Sequence, residues 1–316
     1  MAHTPSQTAA PTAVHTQTIT LTAADGYRLQ ALRYSPTATG PSSGGQPLRG
    51  RLIVAGATGV PQRFYRRFAE HAVSQGLEVL TLDYRGIGLS KPASLRGFQM
   101  NYLDWARQDI AAAVDLMAGD DGLPLFMVGH SYGGHAFGLL PNHHRVARFY
   151  PLATGAGWHG WMPRAEQLRV QLMWRVLGPL LVRWKGYLNW SVLGMGEYLP
   201  KPVFLQWRRW CRNPRYFFED PDLPGLAERF AQVKTPIVAA NALDDLWAPP
   251  ASRDAFMQHY RGTTVEPVTL DPRQLGLGPI GHMGSFRDSA RPLWDTALQW
   301  LLQHPKAGPA ALSPSA

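Results

Sequence analysis

The chain has 316 residues, 45% hydrophobic and 11% aromatic, enough apolar material for a large core, which excludes disorder over most of its length. A single cysteine, Cys211, excludes a disulfide-stapled scaffold and suits a reducing compartment. The formal net charge of +9 comes from 31 basic and 22 acidic residues with no block of like charges, so no nucleic-acid-binding tail is marked and no nucleic acid is expected as partner.

Residues 1–15 read as a flexible leader, because Met1 to Ala13 are small and polar and lack the basic start and apolar core of a secretory signal. A cytoplasmic location is therefore expected. Alternation over Thr16 to Leu21 predicts a strand, Asp25-Gly26 a turn, and Tyr27 to Tyr34 the returning strand. Residues 37–50 are rich in Gly, Pro, Ser and Thr and read as a loop. Arg51 to Ala55 is a compact buried strand, followed by a helix from Phe64 to Gln75 that stops at Gly76. Leu77 to Leu82 is the next strand. Leu103, Ile110, Val114 and Met117 have helical spacing over 101–117. Apolar runs at Pro124 to Val128 and Val146 to Leu152 predict two more strands.

The alternation breaks at Trp158, and up to Gly225 no strand is apparent. Strands resume at Pro236 to Ala240 and Thr263 to Leu270. A helix over Ser289 to Leu302 closes the pattern, and 305–316 read as a flexible tail. Strand and helix alternating at this spacing predict an α/β fold, a mostly parallel central sheet flanked by helices. Residues 16–156 and 226–304 form that core, and 157–225 a helical insertion. No apolar run approaches the roughly 18 residues of a membrane span; the longest, Val176 to Val182, lies between Arg175 and Arg183.

The strongest chemical feature is Gly129-His130-Ser131-Tyr132-Gly133, a G-x-S-x-G sequence between a predicted strand and a helix-compatible segment. A nucleophile on so tight a turn has strained backbone, and flanking side chains would collide, hence the glycines. A serine hydroxyl needs a base. His282 follows the last predicted strand and precedes the last helix, where an imidazole can lean over the sheet edge. His130 and His135 are too local to Ser131 for that task, His143 and His144 read as loop residues, and His159 falls in the insertion, where it could contact substrate. The base needs a carboxylate to hold its tautomer. Asp244 and Asp245 directly follow a predicted strand. Asp245, with proline four residues on, is favoured, and Asp244 would then bond backbone within its own turn.

Ser131, Asp245 and His282 stand in the order nucleophile, acid, histidine, and Asp83-Tyr84-Arg85-Gly86-Ile87-Gly88-Leu89-Ser90 is similar to the D-x-R-G-x-G-x-S stretch after the fourth strand of many α/β-hydrolases. Over about residues 16–304 the chain resembles that superfamily, near its serine-aminopeptidase and esterase branches. The resemblance implies a catalytic triad and an oxyanion hole of two backbone amides. One would be that of Tyr132. The other would come from Ala57 or Thr58, because Ala55-Gly56-Ala57-Thr58 stands where relatives often carry His-Gly. It also implies that the insertion is a cap over the serine.

The nucleophile position separates the chain from dehalogenases and epoxide hydrolases of similar fold, which use aspartate. No metal or dinucleotide motif is present, so no cofactor is expected. Seven of the 11 tryptophans lie between Trp158 and Trp210, suiting an apolar acyl pocket. The expected activity is hydrolysis of a small-molecule carboxylic ester or thioester. An amidase or aminopeptidase-like activity and a non-catalytic binding protein of the same fold are the alternatives. Arginine interleaved with tryptophan in the insertion also admits weak association with a membrane surface.

Overall fold

The computed structural model of the chain describes residues 13–37, 47–189 and 196–303. The expected tail, most of the expected leader and most of the 37–50 loop lie outside these residues, as does Trp190. The strands in chain order are β1 (Val14–Thr22), β2 (Arg28–Pro36), β3 (Gly50–Ala55), β4 (Leu77–Leu82), β5 (Leu125–His130), β6 (Arg148–Leu152), β7 (Tyr187–Leu188), β8 (Leu199–Pro200), β9 (Ile237–Ala242) and β10 (Val265–Leu270). Eight of them form one sheet in the order β1-β2-β4-β3-β5-β6-β9-β10. From β4 to β10 every pairing is parallel, and only β1 with β2 and β2 with β4 run antiparallel.

The hairpin of β1 and β2 turns at Asp25-Gly26, where Gly26 takes φ +84° and Asp25 Oδ1 accepts the Tyr27 amide. β1 begins two residues earlier than alternation predicts, because Val14 and His15 find ladder partners in Pro36 and Ser35. The central strands are buried on both faces, which is why they read as apolar runs rather than alternations. Successive residues still feed opposite cores. Leu52 and Val54 pack with Phe68 of α1 (Arg66–Ser74) and Trp294 of α9 (Arg291–Leu302). Ile53 and Ala55 pack with Val114 of α2 (Ala111–Met117) and Phe256 of α8 (Pro250–Met257).

The α2 helix is preceded by a π-helical turn, Trp105–Ile110, which shortens the α-helix expected over 101–117. That turn brings Asp109 against Arg85: Asp109 accepts the Arg85 amide and Nε, each at 2.8 Å. Between β6 and β9 the chain makes a long excursion through α4 (Arg164–Leu172), α5 (Gly178–Lys185), α6 (Lys201–Trp210) and, rejoining the core, α7 (Leu226–Ala231). A π turn at Met173–Leu177 joins α4 to α5 just ahead of Pro179, which has no N–H to offer a regular turn. The region without strand signals does hold two: β7 and β8 pair antiparallel through two residues each, too short to show as a pattern.

Candidate active site

The strand order reverses about β3, with β4 on one side and β5 on the other. At such a switch point the loops leaving the carboxyl ends part and open a crevice. Ser131 stands there, between β5 and α3 (Tyr132–Ala136), with φ 51° and ψ −106°. That conformation is costly for a residue with a Cβ and has to be held from outside. The Ser131 amide donates to the Leu152 carbonyl at 3.0 Å, and its carbonyl accepts the amides of Gly134 and His135. The glycines are required by contact: a Cβ on Gly133 would sit 2.0 Å from the Ala55 carbonyl oxygen, and one on Gly134 1.9 Å from Thr154 Oγ1.

His282 arrives from the loop after β10, with Nε2 3.0 Å from Ser131 Oγ. Its Nδ1 lies 2.9 Å from Asp245 Oδ2. Asp245 is buried at the end of β9, and its Oδ1 accepts the Trp247 and Ala248 amides at 2.8 and 2.9 Å. Burial opposes its ionisation, but the charge and hydrogen bond of His282 and the two amides outweigh burial and hold the carboxyl below its ordinary range. Asp244 does something other than bond its own turn. Its two oxygens accept the amides of Ile280 and Gly281 at 2.9 and 3.0 Å, so it ties down the loop that delivers His282. The reason is the parallel pairing of β9 with β10, which sends both following loops out at one edge.

The two oxyanion candidates from the β3 loop differ. The Ala57 amide donates to Tyr65 Oη at 2.7 Å. The amides of Thr58 and Tyr132 have no partner among the described residues. Tyr65 also bonds His130 Nδ1 at 2.9 Å, and His130 Nε2 bonds the His282 carbonyl at 2.8 Å. Sequence reasoning set His130 aside as too local and did not single out Tyr65. No periodicity could have found them, because their partners lie on loops far apart in the chain. His159 lies in a 3-10 turn of the excursion and is not among the residues that line the cleft beside Ser131.

The Asp83–Ser90 stretch is structural. Asp83 accepts the Gln62 and Leu89 amides, and a Cβ on Gly88 would lie 2.2 Å from its Oδ2. Ser90 Oγ donates to the Asp83 carbonyl and accepts the Gln30 amide, pinning β2 to this loop.

A cleft of about 500 Å³ opens over Ser131 and His282, walled by Thr58, Val60, Phe64, Trp207, Trp247 and Met283. A second pocket of about 30 Å³ runs inward from Ser131 among Met162, Val170, Trp174 and Cys211. Among the described residues, no three His, Cys, Asp or Glu side chains gather as metal ligands would, and no helix is long and apolar enough to cross a membrane.

A family model described as serine aminopeptidase, S33, matches residues 47–200. No curated protein matches the chain. Among solved structures, the chain is similar to a soluble variant of monoglyceride lipase from Saccharomyces cerevisiae in complex with a substrate analog, with TM-score 0.63 and 18% identity over 98% of this chain and 100% of that one. It is similar to the esterase domain of a Rhodothermus marinus protein, with TM-score 0.54 and 16% identity over 92% and 99%. Brefeldin A esterase, described as a bacterial homologue of human hormone sensitive lipase, gives TM-score 0.57 and 16% identity over 96% and 80%. At these identities the likeness speaks for the fold, which agrees with the family match and with the sheet order described above. The chain has the α/β-hydrolase fold, and residues 47–200 of it match the serine aminopeptidase, S33, family model.

Proposed function

We propose that the protein is a serine hydrolase of carboxylic esters or thioesters with an apolar acyl part. The observation that carries this is the chain from Ser131 Oγ through His282 to Asp245, at 3.0 and 2.9 Å, opening onto an apolar cleft. Ser131 Oγ attacks the acyl carbon while His282 Nε2 takes its proton. Asp245 fixes the Nδ1–H tautomer and stabilises the imidazolium as it forms. The oxyanion that develops is met by the Tyr132 amide and by the amide of Thr58, with Ala57 held behind it by Tyr65. His282 returns the proton to the leaving oxygen or sulfur, and water activated by the same ring releases the acid.

The excursion between β6 and β9 acts as the cap. The buried side of its first helices, Val170 and Trp174, faces the inner pocket and excludes water from the acyl group. An aminopeptidase would need a carboxylate for the substrate's terminal amine. Among the described residues, no Asp or Glu lines either pocket beside Ser131, which favours the ester or thioester.

The outer side of the same helices supports weak association with an anionic membrane surface. Leu168, Leu172, Val176, Leu180 and Trp184 are exposed in a stripe, with Arg164, Arg175 and Arg183 exposed beside it.

Intact-mass reading after treatment with a fluorophosphonate, which reacts with activated serines, tests the central reading. One adduct per chain, absent in Ser131→Ala at unchanged thermal stability, is the expected result. A folded wild-type protein that takes no label would overturn the enzyme in favour of a binding protein of this fold.

A further inference from the structure

We infer that Tyr65 and His130 are positioning residues, joining the oxyanion loop, the nucleophile turn and the histidine loop through one directed chain of hydrogen bonds. The inference rests on the roles proposed above for Ser131, His282 and Asp245. The chain runs from the Ala57 amide to Tyr65 Oη at 2.7 Å, from Tyr65 to His130 Nδ1 at 2.9 Å, and from His130 Nε2 to the His282 carbonyl oxygen at 2.8 Å.

Each link has only one polarity. A carbonyl oxygen accepts and never donates, so His130 Nε2 carries the hydrogen. A backbone amide donates and never accepts, so Tyr65 Oη accepts from Ala57 and turns its own hydrogen to His130. His130 Nδ1 must then be bare, which makes the ring the neutral Nε2–H tautomer. Both side chains are buried, Tyr65 at 1% and His130 at 0% exposure. Burial pushes His130 down to about 3, with the charge of His282 acting the same way, so the ring is neutral at working pH. Phe64 lies near-parallel to the imidazole at 6.5 Å between ring centroids and Phe286 tilts against it at 5.0 Å, so aromatic rings flank the buried ring.

Each end of the chain is where reaction geometry is set. Ala57 lies one residue before the Thr58 amide. His130 precedes Ser131 in sequence. The last acceptor is the backbone of His282 itself. Neither Tyr65 nor His130 lines the cleft. Removing a link therefore loosens the reacting groups without altering the surface that binds substrate. The expected signature is a fall in kcat at unchanged KM.

The first experiment reads the chain without activity. Nitrogen-15 NMR of the histidine rings at pH 7 should show His130 as the neutral Nε2–H tautomer, with its Nδ1 signal moved in Tyr65→Phe. A cationic or Nδ1–H ring overturns the inference even if the enzyme is active. The second is kinetic, on an ester that the wild type turns over. Tyr65→Phe should lower kcat by roughly tenfold to a hundredfold, the scale of a small misplacement of reacting groups, with KM within about twofold. His130→Gln, which can both accept and donate, should retain more activity than His130→Leu. The double variant Tyr65→Phe/His130→Leu should be no worse than His130→Leu alone. Multiplying losses, or a change in KM at constant kcat, overturns the inference. Should His130→Leu fail to fold, Tyr65→Phe combined with His130→Gln gives the same comparison. Failure of the hydrolase reading shows separately, as activity that survives Ser131→Ala while the ring signals stay as expected.

Discussion

Ser131, His282 and Asp245 are held mainly by backbone amides and carbonyls, so single atoms in their side chains can be changed with little effect on the turns that carry them. Asp245→Asn is the sharpest case. The amide keeps the size of the side chain but offers Nδ1 a neutral partner and favours the wrong imidazole tautomer. The expected loss is about 10⁴-fold in kcat with little change in KM, measured on a chromogenic ester. Asp244→Asn should act differently, because its partners are the Ile280 and Gly281 amides. At this scale the residue types were legible: a serine in a G-x-S-x-G turn, an aspartate just after one strand and a histidine in the loop after the next. The partner of the Ala57 amide was not legible, because it turns on where the hydroxyl of Tyr65 falls. The second role of Asp244 was hidden for the same reason, since it depends on which loop lies beside it.

At the scale of elements, the buried strands of the sheet read from sequence to within a few residues, because strands covered on both faces form short, mainly apolar runs. The excursion read poorly. Over α4, the π turn and α5, one face buries Val170, Met173, Trp174 and Val182 while the opposite one exposes Leu168, Leu172, Leu180 and Trp184, so apolar residues circle the helix and blur its period. The exposed stripe is where the membrane reading can be tested. Each arginine beside an anionic leaflet contributes about 1 kcal/mol, and full burial of a leucine about 1.5–3 kcal/mol. Charge and apolar contact are therefore of similar size. Co-sedimentation should be found with phosphatidylglycerol vesicles, be weakened by salt, and be lost in Leu172→Glu/Leu180→Glu. The same variant should keep wild-type turnover of a short, water-soluble ester. Equal binding to phosphatidylcholine at any salt would refute the electrostatic half of the reading, and a dimer formed through this face would replace it.

For the whole molecule, two buried neutral histidines lower stability in acid, opposed in part by Asp109, whose burial pushes it up to about 6. Burial pushes His130 down to about 3 and His135 down to about 4, against an ordinary 6.5. The unfolded chain binds protons near 6.5 while the folded one does not until much lower pH, so stability falls as pH falls through that window. Asp245, held below its ordinary range, adds its own loss only in stronger acid. The melting temperature should therefore be level above about pH 7 and decline from about 6.5 towards 4, with a shallower slope in His130→Gln. Calorimetry across that range checks it; a melting temperature that stays constant down to pH 4 would contradict neutral burial of both rings. The sheet class was legible in the alternation of strands and helices, whereas the strand order, which places the crevice, came only with tertiary pairing.

The lone thiol makes the molecule its own reporter. Cys211 is buried in the wall of the inner pocket, and burial raises its thiol far above the usual range, so a disulfide reagent can reach it only when the structure around it opens. With one sulfhydryl in the chain, every equivalent of released chromophore counts an opening event at a known address. Modification of the native protein should be slow and first order, its rate independent of reagent once reagent is in excess. Occupying the cleft over Ser131 with a non-hydrolysable ester mimic should slow it further. The opening frequency of the structure around Cys211 can thus be clocked on the unmodified protein and set beside the rate of any ester turnover.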